Sequence, residues 1–330
     1  MIQRAPRTAA AKTPLPRRVV VQGIVAGAAI VAFGSTAAQA SADRETPFSA
    51  GRGRARYKVP GQATDAHMHI YDPVRFPYPF PGATPPPRAT VADYRLLQER
   101  TGTKRTVVVT PSNYGTDNRC TLEAIGQLGL RSARGIAVID DSFSTAQLQD
   151  LHQAGIRGIR FNLTRPGGAG AELIRSLAAR IAPLGWHVQI HMSAEGILEN
   201  LKSINDLPTD LVIDHMGRIP GSAGTSHPAF EAITRLLDGG KTWVKLSGVY
   251  HESQDGPPTY ADRGAIGAAF ARYAPDRMVW GSDWPHPTAS RGEVPMPDDA
   301  AMLDMFANWV PTRQERKRIL VDNPEKLYDF

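Results

Sequence analysis

The chain has 330 residues, 42% hydrophobic and 21% charged, enough to bury a full core in one large domain or two modest ones. Its formal net charge is +6, but residues 1–40 hold Arg4, Arg7, Lys12, Arg17 and Arg18 and no acidic residue, leaving +1 for the remainder. A nearly neutral body excludes the electrostatic footprint of a nucleic-acid binder or of a protein drawn to anionic membranes.

Residues 1–40 have the three parts of an export signal. A basic segment ends in Arg17-Arg18, a mildly apolar Ala- and Gly-rich run spans Val19 to Phe33, and Ala38-Gln39-Ala40 makes a cleavage site before Ser41. The paired arginine and the weak hydrophobicity favour the twin-arginine route, with the general secretory route as the alternative. Either implies a periplasmic or otherwise exported protein. The apolar run is short for a membrane span, so no stable insertion is expected after cleavage. Residues 41–62 are polar, basic and rich in Gly and Arg, and read as a flexible linker. Residues 63–330 read as one folded domain.

From Ala63 onward, short apolar runs alternate with amphipathic stretches. Strands are expected near Thr64–Ile70, Arg105–Thr110, Gly135–Asp140, Gly158–Phe161, Trp186–His191, Leu211–Asp214, Trp243–Leu246 and Met278–Gly281. Helices such as Ala171–Ala182 and Pro228–Leu237 fall between them. Eight such alternations over this length predict an α/β fold of the (β/α)8 TIM-barrel type, with a doubly wound open sheet as the alternative. Val74–Arg88, rich in proline and aromatics, reads as a long loop over the barrel mouth and a candidate lid. Cys120 is the only cysteine, so no internal disulfide is possible, and its place at a helix start suits packing. The final segment, Asn323–Tyr328, is expected to pack against the barrel floor.

Residues able to bind a metal or move a proton stand at the ends of four of these runs. Strand residues i and i+2 face the same side, so His67 and His69 would both point to the barrel axis. Two histidines so spaced are a platform for zinc or a related ion. His191 after strand five would be a third nitrogen, and Asp283 after strand eight a carboxylate that orients or deprotonates water. His215 after strand six fits either a direct or a supporting role. Arg160 ends strand four, Arg165 follows in the same loop, and Arg218 follows His215. Guanidinium groups at that end suit carboxylates, so the expected partner is a small anionic molecule. Lys245 lies within the apolar run of strand seven and suits a buried ion pair.

His67-Met68-His69, Arg160-Phe161-Asn162, Asp214-His215-Met216-Gly217-Arg218 and Trp280-Gly281-Ser282-Asp283-Trp284-Pro285-His286-Pro287 together resemble the lactonase branch of the amidohydrolase superfamily. Tyr114–Asn118 and Ala133–Val138 share the likeness, which runs from about Thr64 to Tyr328. The resemblance implies a barrel that opens or rearranges lactones, with Asp283 taking a proton from water. It also implies that Arg160 and Arg218 hold carboxylates and that His67, His69 and His215 polarise the carbonyl or brace the site. Ser112 and Tyr250, in the loops after strands two and seven, would add contacts to substrate.

The chain departs from the branch's metal-free pattern by carrying His191. His67, His69, His191 and Asp283 could thus hold one divalent ion, zinc or manganese, while a metal-free mechanism stays open. Arg160 and Asn162 stand where a carbamylated lysine would be needed, which argues against a dinuclear centre. The leading reading is hydrolysis of a small anionic lactone of sugar-acid or aromatic origin. The alternatives are a galactarolactone-type isomerase, a metal-dependent decarboxylase, and a non-catalytic dicarboxylate-binding protein.

Overall fold

The computed structural model describes residues 45–79, 86–164 and 170–330; residues 1–40, where an export signal is expected, residues 80–85 of the expected lid and Arg165 lie outside them. The Val- and Ile-rich runs form eight strands: β1 (Thr64–Met68), β2 (Arg105–Val109), β3 (Ala133–Ala137), β4 (Ile156–Asn162), β5 (His187–His191), β6 (Leu211–Ile213), β7 (Thr242–Leu246) and β8 (Met278–Trp280). Each pairs in parallel with the next, in the order β1 to β8. Just past β8, Asp283 N donates to His67 O and His69 N donates to Trp284 O, both at 2.8 Å, which draws the two ends together into a nearly closed (β/α)8 barrel. Strand β3 sits nearer the N-terminus than expected, at Ala133–Ala137.

Each strand is followed by a covering helix: α1 (Val91–Thr101), α2 (Arg119–Leu128), α3 (Thr145–Gln153), α4 (Ile174–Ile181), α5 (Ala194–Glu199), α6 (Pro228–Asp238), α7 (Ala261–Tyr273) and α8 (Asp299–Trp309). Local sequence starts them. Thr90 and Asp93 make a reciprocal capping box on α1, and Ser144 and Gln147 do the same on α3. The expected helix from Ala171 divides, opening with a 3-10 turn at Ala171–Leu173 before α4. Among the described residues, no helix is long and apolar enough to cross a membrane.

The larger core lies between sheet and helices, while Ala66, Val107, Val109, Ile136, Val212, Trp243 and Val279 form a smaller cluster with Leu327 and Tyr328. The latter two come from the C-terminal helix Asn323–Tyr328, which packs onto the barrel as expected. Strand β1 carries a bulge: Asp65 is opposite Thr106 but Met68 is opposite Val108, one residue more on β1 than on β2. Ala66 and His67 share the place of one residue there, and His69 follows two positions on. Asp65 takes no part in the site. It accepts from Ser282 N at 2.9 Å, Ser282 Oγ at 2.6 Å and Tyr94 OH at 3.0 Å, tying β1 to the end of β8.

The described part of the expected linker, residues 45–62, is a packed strap. Buried Arg100 donates to Ser49 Oγ, Ala50 O and Gly53 O, each at 2.8 Å, and Trp284 Nε1 donates to Pro47 O at 2.8 Å. Its polar composition reflects backbone groups satisfied by the barrel's side chains, a pattern that composition alone reads as mobility. At the base of the expected lid, Tyr71 and Ala89 exchange backbone hydrogen bonds of 2.9 and 2.8 Å. Arg88 meets Asp72 there at 2.9 and 3.1 Å.

Candidate active site

The site begins with the β1 histidines. His69 Nδ1 lies 2.7 Å from Val109 O; a carbonyl only accepts, so Nδ1 carries the proton and Nε2 a lone pair. His67 Nε2 stands 3.3 Å from that lone pair and must be the donor. Its Nδ1 then accepts from Lys245 Nζ at 3.1 Å. Lys245, fully buried, also donates to Ala66 O at 2.9 Å and Gln189 Oε1 at 2.8 Å. The network therefore runs in one direction, from Lys245 through His67 and His69 to Val109. Burial lowers the Lys245 ammonium to about 8, with Asp214 opposing the shift and Arg160 adding to it.

Asp214, at the end of β6, accepts from Arg160 Nε at 2.9 Å and Gln189 Nε2 at 3.0 Å through Oδ2. Its Oδ1 is buried without a hydrogen bond, although His67 Nδ1 is only 3.3 Å away. The following residues, His215, Met216, Gly217 and Arg218, are all left-handed, with φ of 52, 55, 64 and 47°. Three of the four are not glycine, and such strain concentrates where side chains must be aimed. It brings both His215 and Arg218 to the cleft wall.

Asp283, also left-handed at φ 64°, is 2% exposed and ringed by imidazoles. Its Oδ1 lies 3.4 Å from His67 Nε2, 3.5 Å from His69 Nε2 and 3.9 Å from His215 Nε2, and its Oδ2 lies 3.4 Å from His251 Nε2. Burial alone would raise the Asp283 carboxyl, but His215, His251, His69 and His67 outweigh it and hold the group well below the usual range. Burial drives the imidazoles the other way. It takes His67 down to about 3, aided by the Lys245 charge, and lowers His191, His215 and His251. Near neutral pH Asp283 is therefore an ionised carboxylate, and His67, His191, His215 and His251 are uncharged.

The expected residues separate into three groups. His67, His69, His215 and Asp283 converge, as anticipated. His191 lines the cleft, but its Nδ1 faces Arg160 Nη2 at 3.1 Å and its Nε2 faces Arg218 Nη1 at 3.4 Å. Guanidinium groups only donate, so they compete for the lone pair a metal would need. The expected ligand set with His191 is thus not assembled. Donor atoms within 4.8 Å of one another are offered instead by His67, His69 and Asp283, by His67, Asp214 and His215, and by His215, His251 and Asp283.

Tyr250, expected to touch substrate, is buried against Asp283, its hydroxyl donating to Asp283 Oδ2. Ser112 does line the cleft and accepts from Asn162 Nδ2 at 2.6 Å. Arg160 and Arg218 line it as well, Arg218 with Nη2 on Glu252. Arg165 lies outside the described residues. His251, Asp214 and Arg291 are cleft or site residues to which the sequence reading gave no role. His251 follows Gly248, whose φ of +59° turns the chain out of strand alternation. A Cβ at Gly248 would stand 2.6 Å from His215 Nδ1, so only glycine fits there.

The barrel has counterparts among known proteins. The amidohydrolase family model matches residues 64–330. The chain is 34% identical over 284 residues to 2-pyrone-4,6-dicarboxylate hydrolase of Comamonas testosteroni, covering 83% of this chain and 92% of that enzyme. It is 32% identical over 275 residues to D-galactarolactone isomerase of Agrobacterium fabrum, covering 82% and 91%. A solved apo structure from Agrobacterium tumefaciens superposes with a TM-score of 0.74 at 31% identity, over 82% of this chain and 97% of that one.

Proposed function

The chain belongs to the amidohydrolase family and is an enzyme, and from that premise we propose that it opens a small anionic lactone with base-activated water. The observation that carries this reading is Asp283, a buried carboxylate at the cleft with Nε2 of His67, His69, His215 and His251 all within 3.9 Å of its oxygens. Asp283 takes a proton from water as the oxygen bonds to the lactone carbonyl carbon. The ring C–O bond then breaks, and the proton passes to the departing alkoxide. Tyr250, donating to Oδ2, leaves Oδ1 as the basic oxygen and fixes the carboxylate plane. His215, on the cleft wall with Nδ1 2.9 Å from Ser247 Oγ, is assigned to polarise the carbonyl. Arg160 and Arg218 attract the substrate's carboxylate to the β4–β6 side.

The donors also fit one divalent ion, and the orphaned Asp214 Oδ1 is the observation that supports it. Moving the His67 proton from Nε2 to Nδ1, with Lys245 Nζ turned from Nδ1 toward Asp214 Oδ1 at 3.7 Å, would give that oxygen a donor at 3.3 Å and free Nε2 beside His69 Nε2 and Asp283 Oδ1. His67, His69 and Asp283 would hold the ion, zinc or manganese by their nitrogen and oxygen donors. When bound it would supply Lewis acidity toward a carbonyl or water.

The test is turnover of a panel of carboxylated lactones in water enriched in oxygen-18. Hydrolysis places one labelled oxygen in the product, and Asp283→Asn should lower kcat by about 10²- to 10⁴-fold. Unlabelled product with the lactone bond moved would instead establish isomerisation, the reading favoured by the Agrobacterium fabrum relative. Full activity in Asp283→Asn would remove Asp283 as the base.

A further inference from the structure

We propose that Arg291 is a second anion anchor, on the β8 side of the cleft, which selects substrates carrying two carboxylates. The inference rests on the lactone-opening reading for its substrate, and on the geometry alone for its anion site.

Arg291 closes the short helix Pro287–Ser290, eight residues after Asp283, and lines the same cleft. The turn is firmly built: Ser290 N donates to His286 O and Gly292 N donates to Ala289 O, both at 2.8 Å. The Arg291 side chain is only 7% exposed, and its Nε is taken by Glu293 Oε1 at 2.5 Å. Its Nη2 is buried and has no hydrogen-bond partner. A buried guanidinium N–H left unpaired in a ligand cleft costs free energy that an incoming acceptor recovers.

The other two cleft arginines are more heavily committed. Arg160 gives Nε to Asp214 and turns Nη2 to His191. Arg218 gives Nη2 to Glu252 and points Nη1 at His191, keeping only Nε unpaired. In a barrel of strand order β1 to β8, β4 lies across the axis from β8. Arg160 lies near the end of β4 and Arg291 follows β8, strands that face each other across the barrel, and both line the cleft that holds Asp283. A ligand with one carboxylate can satisfy one side; a ligand with two can satisfy both. A carboxylate suits Arg291 because it accepts charge-assisted hydrogen bonds from a planar guanidinium.

The test uses unreactive probes, so it does not depend on turnover. Dissociation constants for benzene-1,3-dicarboxylate and benzoate are measured by calorimetry on the wild type, Arg291→Gln and Arg291→Lys, with thermal unfolding to confirm folding. The wild type should prefer the dicarboxylate by about tenfold or more, and Arg291→Gln should remove most of that preference. Arg291→Lys keeps the charge without the fork, should retain part of the preference, and serves if the glutamine variant does not fold. A wild type without preference, or variants that keep it within about threefold, overturns the anchor. A wild type that discriminates the probes but opens no lactone defeats the lactone reading and leaves the anchor standing. Lactone turnover with an unchanged preference in Arg291→Gln defeats the anchor alone.

Discussion

Lys245 Nζ lies 3.1 Å from His67 Nδ1, and with no ion bound this contact decides which nitrogen of His67 carries the proton. With the ammonium donating from below, His67 must present its N–H upward toward His69. Removing the donor should loosen that assignment. In Lys245→Met, Ala66 O, Gln189 Oε1 and His67 Nδ1 each lose a buried partner, and the balance against the relieved burial of a charge sets the stability change. The sign with pH is fixed. The folded state releases the Lys245 proton at about 8 against 10.5 for the unpaired group, so between those values the unfolded chain binds more protons. Wild-type stability relative to Lys245→Met should therefore rise as pH increases through that window. Urea titrations at pH 7, 8, 9 and 10 check it, and a difference that falls with pH would contradict it.

Metal content separates the ligand set seen here from the one expected from strand ends. Protein purified without chelators or a histidine tag should carry about one divalent ion per chain. Elemental analysis should show it lost in His69→Ala and Asp283→Ala and retained in His191→Ala, because His191 is turned to Arg160 and Arg218. Loss in His191→Ala with retention in His69→Ala would reverse the assignment.

Gly248 is the tightest backbone position beside the imidazoles. Gly248→Ala places a methyl group 2.6 Å from His215 Nδ1 at a φ of +59°, so both the ring and the turn must shift. The strain alone costs about 1–2 kcal/mol. Displacement of His215 and His251 should in addition lower kcat by about tenfold or more through lost geometry. Guanidinium unfolding and steady-state kinetics on the same preparation test the two effects separately.

Arg100 holds the strap of residues 45–62 with a side chain 4% exposed and partners at Ser49, Ala50, Gly53 and Asp298. Arg100→Ala should destabilise the fold by about 1–3 kcal/mol, since it removes a buried side chain and its partly buried hydrogen bonds, while Asp298 keeps Ala300 N and Ala301 N as donors. The strap also carries Pro47, which accepts from Trp284 next to Asp283, so limited proteolysis before residue 62 should become faster in the variant. A variant as stable and as protease-resistant as the wild type would show the strap to be held by other contacts.

The barrel and half of the site were legible in the sequence for a simple reason. Fully buried parallel strands read as continuous Val and Ile runs, and catalytic groups follow their ends, which made His67, His69, His215 and Asp283 visible. The roles of other residues depend on what their neighbours do. His191 sits at the expected strand end, but Arg160 of β4 and Arg218 in the turn after β6 face its nitrogens. His251 and Arg291 reach the cleft from loops, where the two-residue period no longer says which way a side chain points. The strap looks mobile by composition because its partners, Arg100 and Trp284, are distant in sequence. Even the correct placement of His67 depends on a bulge that strand alternation does not anticipate.

The seam between Asp65 and Ser282 joins residues 217 positions apart, and the chemical groups lie directly beside it. One side supplies His67 and His69 and the other supplies Asp283. A nascent chain possesses the first pair long before Asp283, which comes 214 residues after His69, and the group is complete only when the loop between them has closed. No fragment lacking either end can hold the complete group. Catalysis in this enzyme should thus appear only once the β1–β8 seam has closed, making turnover a readout of that closure.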